Sequence, residues 1–357
     1  WVLNDPVVNF LSPTLHFLHE ESCLILSAEL RHQSEEIYWN LTAFWIRRER
    51  QLKSILQRMD EEEIDVIPLK GAALLESIYK QIGVRSMGDV DLLVRDGDYI
   101  KAARIFLDQG MVPHWRSDSG DLFDFMRLPE RFWPGELSFT GSHNLHIDLH
   151  RDLVTYHWFK IGYPLDISGV WERSIQQEFG ARVEQEKSLW KKMLSPYDML
   201  AHMCLHLALH GLGTMKNFLD VDLWIRNLPE NWDWQQYLNL ADQWKLRSVS
   251  FHVFLFCQAF FDTPVPAEVM EAIKPNWSDR GLVKALISPR IILENRTSLG
   301  RRYPSMVKFA LFDGISTKWD VIANLLFPDR SWLKENPDYQ NLWDHWAHVY
   351  HVFIRGD

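Results

Sequence analysis

The chain has 357 residues, 46% of them apolar, 13% aromatic and 24% charged, which is enough apolar material for two domains and excludes disordered, collagen-like and low-complexity classes. Thirty-eight Lys and Arg against 48 Asp and Glu give a net charge of -10, the wrong sign for general capture of a nucleic-acid backbone. Three scattered cysteines, Cys23, Cys204 and Cys257, form no C-x-x-C pair and read as small core residues of a reducing compartment, with the cytoplasm as the expected location.

In chain order, Pro13 to Met59 carries apolar residues at helical spacing (Leu15, Leu18, Ile25, Leu26, Leu30, then Trp45, Leu52, Ile55 and Leu56), with a break near Ser34 that predicts two helices. The texture changes at Glu61. A short apolar run, Ile64 to Leu69, predicts a strand, Ala72 to Lys80 a helix, and Asp89 to Val94 a second strand. Asp98 to Gln109 predicts a helix ended by Gly110, and Met111 to Trp115, Glu136 to Thr140 and Asn144 to Val154 three further strands. Beyond Asp166 the pattern is helical throughout. Ser195 is the expected N-cap of a helix running from Pro196 to about His210, and further helices are expected over 217–227, 233–244, 248–261, 266–273, 282–293, 303–311 and 318–326. The longest apolar stretch, Val249 to Phe261, is too short to cross a bilayer. The resulting expectation is an α+β protein: a helical N-terminal arm over 1–59, a small mixed β-sheet with flanking helices over 60–155, and an all-helical domain over 156–357.

The chemistry concentrates in Leu69-Lys70-Gly71-Ala72-Ala73 and Arg85-Ser86-Met87-Gly88-Asp89-Val90-Asp91-Leu92-Leu93-Val94. Residues two apart on a strand share a face, so Asp89 and Asp91 set two carboxylates side by side. Such a pair repels itself unless a cation intervenes, and oxygen-only ligands suit Mg²⁺, with Mn²⁺ as a substitute. The turn at Gly71 opens a helix whose N–H groups can face an anion. In Leu145-His146-Ile147-Asp148-Leu149-His150 the two histidines and Asp148 share one face, so a neighbouring strand would complete a three-carboxylate cluster. A cluster of that kind can hold two metals about 3.5 to 4 Å apart, around the entering and leaving oxygens of a phosphoryl or nucleotidyl transfer.

A glycine-led helix, a D-x-D strand and a later single Asp resemble the signature of the DNA polymerase β-like nucleotidyltransferase superfamily, and the three motifs look most like its uncharacterised bacterial branch. The likeness extends through Leu194-Ser195-Pro196, His206 and His210 to the Asp220-Val221-Asp222 region. The resemblance implies that Asp89, Asp91 and Asp148 hold Mg²⁺, that Asp148 also helps deprotonate an acceptor hydroxyl, and that Gly71 and the N–H groups from Ala72 onward hold the triphosphate of an NTP. The superfamily usually has Gly-Ser or Gly-Gly where this chain has Gly71-Ala72, which leaves Lys70 and Arg85 as the substitute cations. His150, His206 and His210 are expected to line the cleft. His202, His206 and His210 follow one another at four-residue steps, but H-E-x-x-H is absent.

The expected activity is therefore Mg²⁺-dependent transfer of a nucleoside monophosphate to a hydroxyl on a small molecule, peptide or protein. A non-catalytic nucleotide-binding scaffold and a toxin-like enzyme acting on a protein or tRNA are the alternatives.

Overall fold

The computed structural model describes residues 25–79, 81–114, 133–155, 157–179, 189–213, 215–293 and 304–327, together with isolated positions outside these runs. Helix α1 (Ala28–Glu61) is followed by β1 (Val66–Pro68), α2 (Lys70–Leu74), a π-turn (Leu75–Tyr79), β2 (Asp89–Val94), α3 (Tyr99–Asp108), β3 (Val112–Pro113), β4 (Glu136–Thr140) and β5 (His146–His150). The five strands form one sheet in the order β1-β2-β5-β4-β3, with β2 and β5 parallel and the other neighbours antiparallel. Fold class thus agrees with the sequence reading: an α+β chain with a small mixed sheet and flanking helices.

The sheet is two-faced because its strands alternate. Val90, Leu92, Val94, Ile147, Leu149, Leu137 and Phe139 are almost fully buried on one face. Helix α3 supplies Tyr99, Ala102, Ala103 and Phe106 to the same core, and the Phe106 and Phe139 rings meet edge-on at 5.1 Å. Burying that face leaves the opposite one, with its carboxylates and histidines, for chemistry.

Several boundaries depart from expectation. Residues 28–61 form one helix rather than two, because Ser34 turns its hydroxyl back to the Arg31 carbonyl (2.9 Å) and stays inside the helix. The predicted helix 72–80 begins two residues earlier and relaxes into the π-turn, and the strand expected over 144–154 is confined to His146–His150. A stretch expected to be helical instead holds the hairpin β6 (Ile175–Phe179) and β7 (Leu189–Met193), preceded by the short helices α4 (His157–Gly162) and α5 (Ile167–Arg173). Gln176, Gln177, Glu178, Lys191 and Lys192 hide its period-two pattern. Its anchor is Lys191, buried and bonded to Asp60 and to the Leu56 carbonyl.

The remaining helices are α6 (Pro196–Leu209), α7 (Met215–Arg226), α8 (Trp234–Gln243), α9 (Arg247–Phe261), α10 (Ala267–Ala272), α11 (Trp277–Leu286), α12 (Pro289–Leu293), α13 (Pro304–Ala310) and α14 (Gly314–Leu326). Ser195 caps α6 as expected, accepting from the Asp198 N–H at 3.2 Å. The helix predicted over 282–293 is split between α11 and α12, since Pro289 disfavours a helical residue before it and fits the first position of the next helix. Cys204 and Cys257 are buried free thiols, as the core reading requires, whereas Cys23 lies outside the described residues. The stretch 116–134, between the strands expected at Met111 to Trp115 and Glu136 to Thr140, also lies mostly outside them.

Chain contacts divide the protein into two compact units: Trp1–Asp124 with Pro134–Leu153 and Trp171–Leu194, and Phe125–Trp133 with Val154–Val170 and Ser195–Asp357. The sheet and its hairpin belong to the first. In the second, α6 to α9 surround a core in which the buried Tyr237 hydroxyl meets Ser250 Oγ at 2.7 Å and Cys204 Sγ at 3.7 Å.

Candidate active site

Register brings the carboxylates together. In the parallel pairing of β2 with β5, Asp89 lies opposite His146, Asp91 opposite Asp148 and Leu93 opposite His150. Paired residues point to one face, so Asp89, Asp91 and Asp148 converge with ligand oxygens within 4.8 Å of one another. Among the described residues this is the one cluster of metal-ligating side chains. Asp89 is exposed, Asp148 half-buried and Asp91 nearly fully buried.

Three negative groups at that spacing need compensation, and Asp91 receives it directly. Its Oδ1 accepts from Lys70 Nζ at 2.5 Å and from His150 Nε2 at 2.8 Å. Glu136 Oε2 lies 3.6 Å from the other ring nitrogen of His150, so a row Glu136-His150-Asp91-Lys70 crosses the face. Burial alone would raise the Asp91 carboxyl, but the His150 hydrogen bond and the Lys70 charge together overcome it and hold the group well below the usual carboxylate range. The Lys70 ammonium is raised despite its own burial, by the Asp91 charge and hydrogen bond. Asp148 goes the other way: burial and the Asp91 and Asp89 charges push it up, against a hydrogen bond from Ser138. Glu136 is raised by burial as well, with Asp148 and Asp91 adding to it. The site therefore pairs a carboxylate held ionised with one disposed to take a proton.

The turn before α2 is strained where it meets the carboxylates. Lys70 has φ of +49°, in the left-handed region that costs an L-residue about 1–2 kcal/mol. The Leu69 N–H is bonded to the Asp91 carbonyl at 2.9 Å, which ties the turn to β2. Gly71 sits in a crowded place: a Cβ there would lie 2.2 Å from Arg85 Nη1 and 2.6 Å from Met87 Sδ, so both side chains would have to move. Arg85 is thus a buried cation pressed against Gly71, and Ala72 is buried beside it.

Of the residues predicted from sequence, the first unit gathers Asp89, Asp91, Asp148, Lys70, Gly71, Ala72, Arg85 and His150. Lys70 differs from expectation in its partner, since its ammonium is spent on Asp91 rather than exposed for phosphate. His206 and His210 belong to the second unit, where their rings stand 4.4 Å apart at the C-terminal end of α6, and no metal-ligand cluster forms around them among the described residues. Glu136 was not singled out from sequence. Its signal was the alternation Glu136-Leu137-Ser138-Phe139-Thr140, whose polar members face the same way as Asp148.

The donor set fits a hard divalent cation: three oxygen ligands from rigid strands, one open to solvent, with His150 orienting the buried member. The comparison with protein families matches residues 25–262, most of the chain, to a family described as "Uncharacterised nucleotidyltransferase". The chain belongs to that family. No curated protein and no solved structure matches it. For a nucleotidyltransferase, strand-borne carboxylates beside a glycine turn are a coherent donor arrangement, and the family assignment agrees with the resemblance drawn from the D-x-D motif. No helix among the described residues is long and apolar enough to cross a membrane.

Proposed function

We propose that the protein transfers a nucleoside monophosphate from an NTP to the hydroxyl of a small molecule, peptide or protein, releasing pyrophosphate. The observation that carries this reading is the convergence of Asp89, Asp91 and Asp148 within 4.8 Å, on two parallel neighbouring strands beside the Gly71 turn. Held by those three carboxylates, Mg²⁺ or Mn²⁺ would polarise the phosphate oxygens and neutralise charge that develops during transfer.

The chain's own residues do the rest. Asp91, kept ionised by His150 and Lys70, is a ligand that needs no deprotonation. Asp148, whose proton affinity is raised by burial and then by its acidic neighbours, is the proposed acceptor for the proton of the attacking hydroxyl. The acceptor oxygen bonds to the α-phosphorus as the bond to the bridging oxygen breaks, and pyrophosphate leaves with that electron pair. Backbone N–H groups after Gly71, with Arg85 behind them, are the proposed triphosphate hold, and Lys70 joins it once its place on Asp91 is taken. The buried thiols Cys204 and Cys257 suit a reducing cytoplasm.

The test is pyrophosphate release from each NTP in the presence of the small-molecule and peptide fractions of a cell extract, with wild-type chain and with Asp89→Ala and Asp91→Ala. Release that needs Mg²⁺ and disappears in both variants is expected. A folded Asp89→Ala protein with undiminished transfer would falsify the mechanism.

A further inference from the structure

A groove of about 920 Å³ opens at the end of the sheet where β4 turns into β5. One wall is a single face of α1: Arg47, Arg50, Gln51 and Ser54 follow the spacing i, i+3, i+4, i+7. The other carries His114, Thr140 and His143. None of its lining residues is acidic, in a chain whose net charge is -10. Arg47 and Arg50 are exposed and form no hydrogen bond or ion pair with another described residue.

The groove is held in shape rather than left to chance. His143 and Asn144 both have positive φ, +54° and +56°, at a cost of about 1–3 kcal/mol each. The buried Arg48 secures that turn by donating from Nε to the His143 carbonyl at 3.0 Å. Gln51 Oε1 secures it again, accepting from both the N–H and the hydroxyl of Ser142 at 2.7 Å. Gly141 packs closely against the same side chain: a Cβ would lie 2.4 Å from Gln51 Oε1 and would force Gln51 to shift.

The groove also adjoins the carboxylates. Thr140 Oγ1 contacts His114 and lies 2.9 Å from His146 Nδ1, and His146 is the register partner of Asp89. Thr140 is one strand across and two residues along from Asp148, which by sheet geometry is about 8 Å.

We propose that this groove binds a phosphate group carried by the acceptor, with Arg47 and Arg50 as its main cations and His114 and His143 beside them. The chemical class of acceptor is then a phosphorylated hydroxyl compound. Two guanidiniums and two imidazoles supply the many donors that a phosphate dianion with three terminal oxygens can use, more than a carboxylate requires. The assignment of the groove to the acceptor rests on the nucleotidyl-transfer reading above; its anion binding does not.

The test is a phosphorus NMR titration of inorganic phosphate into the full chain at matched ionic strength, on wild type, Arg47→Gln/Arg50→Gln, Arg47→Lys/Arg50→Lys and Asp89→Asn. Saturable binding is expected in wild type and Asp89→Asn. It should weaken about tenfold or more in the Gln pair, for loss of charge-assisted hydrogen bonds, and survive in part in the Lys pair. Equal binding in wild type and the Gln pair overturns the site, and acetate binding as tightly as phosphate overturns the phosphate assignment. Mg²⁺-NTP affinity is measured alongside. If the Gln pair weakens it as much as it weakens phosphate, the groove serves the donor and the acceptor assignment falls. If no Mg²⁺-NTP binds to wild type while phosphate still does, the transfer reading fails and the anion site stands.

Discussion

Replacing Lys70 with Met removes the cation that compensates Asp91 and keeps an L-residue at the left-handed position, so the change isolates the charge. The Asp91 side chain is 4% exposed and that of Lys70 23%, so the pair is largely withdrawn from water. Breaking a buried pair costs roughly 3–5 kcal/mol, and partial exposure of the lysine puts this one at the lower end, about 3 kcal/mol. For a unit of this size that lowers the melting temperature by roughly 6–12 °C. The account also requires a crossover. A divalent cation at the three carboxylates takes over the compensating role, so saturating Mg²⁺ should restore most of the loss in the variant. Wild type should gain less, because there the cation has to displace the ammonium from Asp91. Calorimetric scans in EDTA and in excess MgCl₂ measure both. The reasoning is refuted if the variant melts with wild type in EDTA, or if Mg²⁺ raises both proteins equally.

Further consequences follow from the same geometry. Asp148→Asn removes a half-buried like charge, so the chain should gain about 1 kcal/mol in EDTA while losing its response to Mg²⁺; denaturant titration checks both signs. Gly71→Ala forces Arg85 and Met87 to move and should cost roughly 1–3 kcal/mol, partly recovered by adding Met87→Ala, whereas an unchanged midpoint would show that the turn has room. Burial lowers the His252 imidazole to about 4, against an ordinary value of 6.5. The folded state then prefers the neutral ring, so this stability is complete above pH 6.5 and is lost as pH falls toward 4, by about 3 kcal/mol in total. His252→Gln should flatten that part of the stability curve, and an unaltered slope between pH 6.5 and 4 would contradict it.

What could be read in the sequence was what depends on short-range pattern. Asp89 to Val94 and Glu136 to Thr140 were legible to the residue, because alternation over Asp89 to Leu92 and through Glu136 to Thr140 declares both a strand and its two faces. The three carboxylates were legible as candidates for the same reason. Their meeting was expected only if the Asp148 strand lay beside the first pair; that β5 does so, parallel and in register with β2, rests on a pairing between distant segments that no local pattern sets. The Lys70-Asp91 pair was invisible for a related reason: a lysine before a glycine turn reads as a solvated cation until the turn's positive φ brings it against the strand. Ser34 misled because a serine in a helical pattern reads as a break, and its hydroxyl instead bonds one turn back. The β6-β7 hairpin was missed because its alternating residues are mostly Gln, Glu and Lys. The groove at Arg47 and Arg50 left only a helical spacing of two arginines and a break between two strands at 141–143, and nothing local ties one to the other.

The central claim is that the three carboxylates form a cation-dependent nucleotide site. Calorimetric titration of each of the four NTPs, with and without Mg²⁺, into wild type and into Asp89→Asn and Asp91→Asn tests it most directly. The account predicts saturable binding of at least one NTP that needs Mg²⁺ and is lost in both variants. Binding that ignores Mg²⁺ or persists unchanged in the variants, or no binding of any NTP, would contradict it.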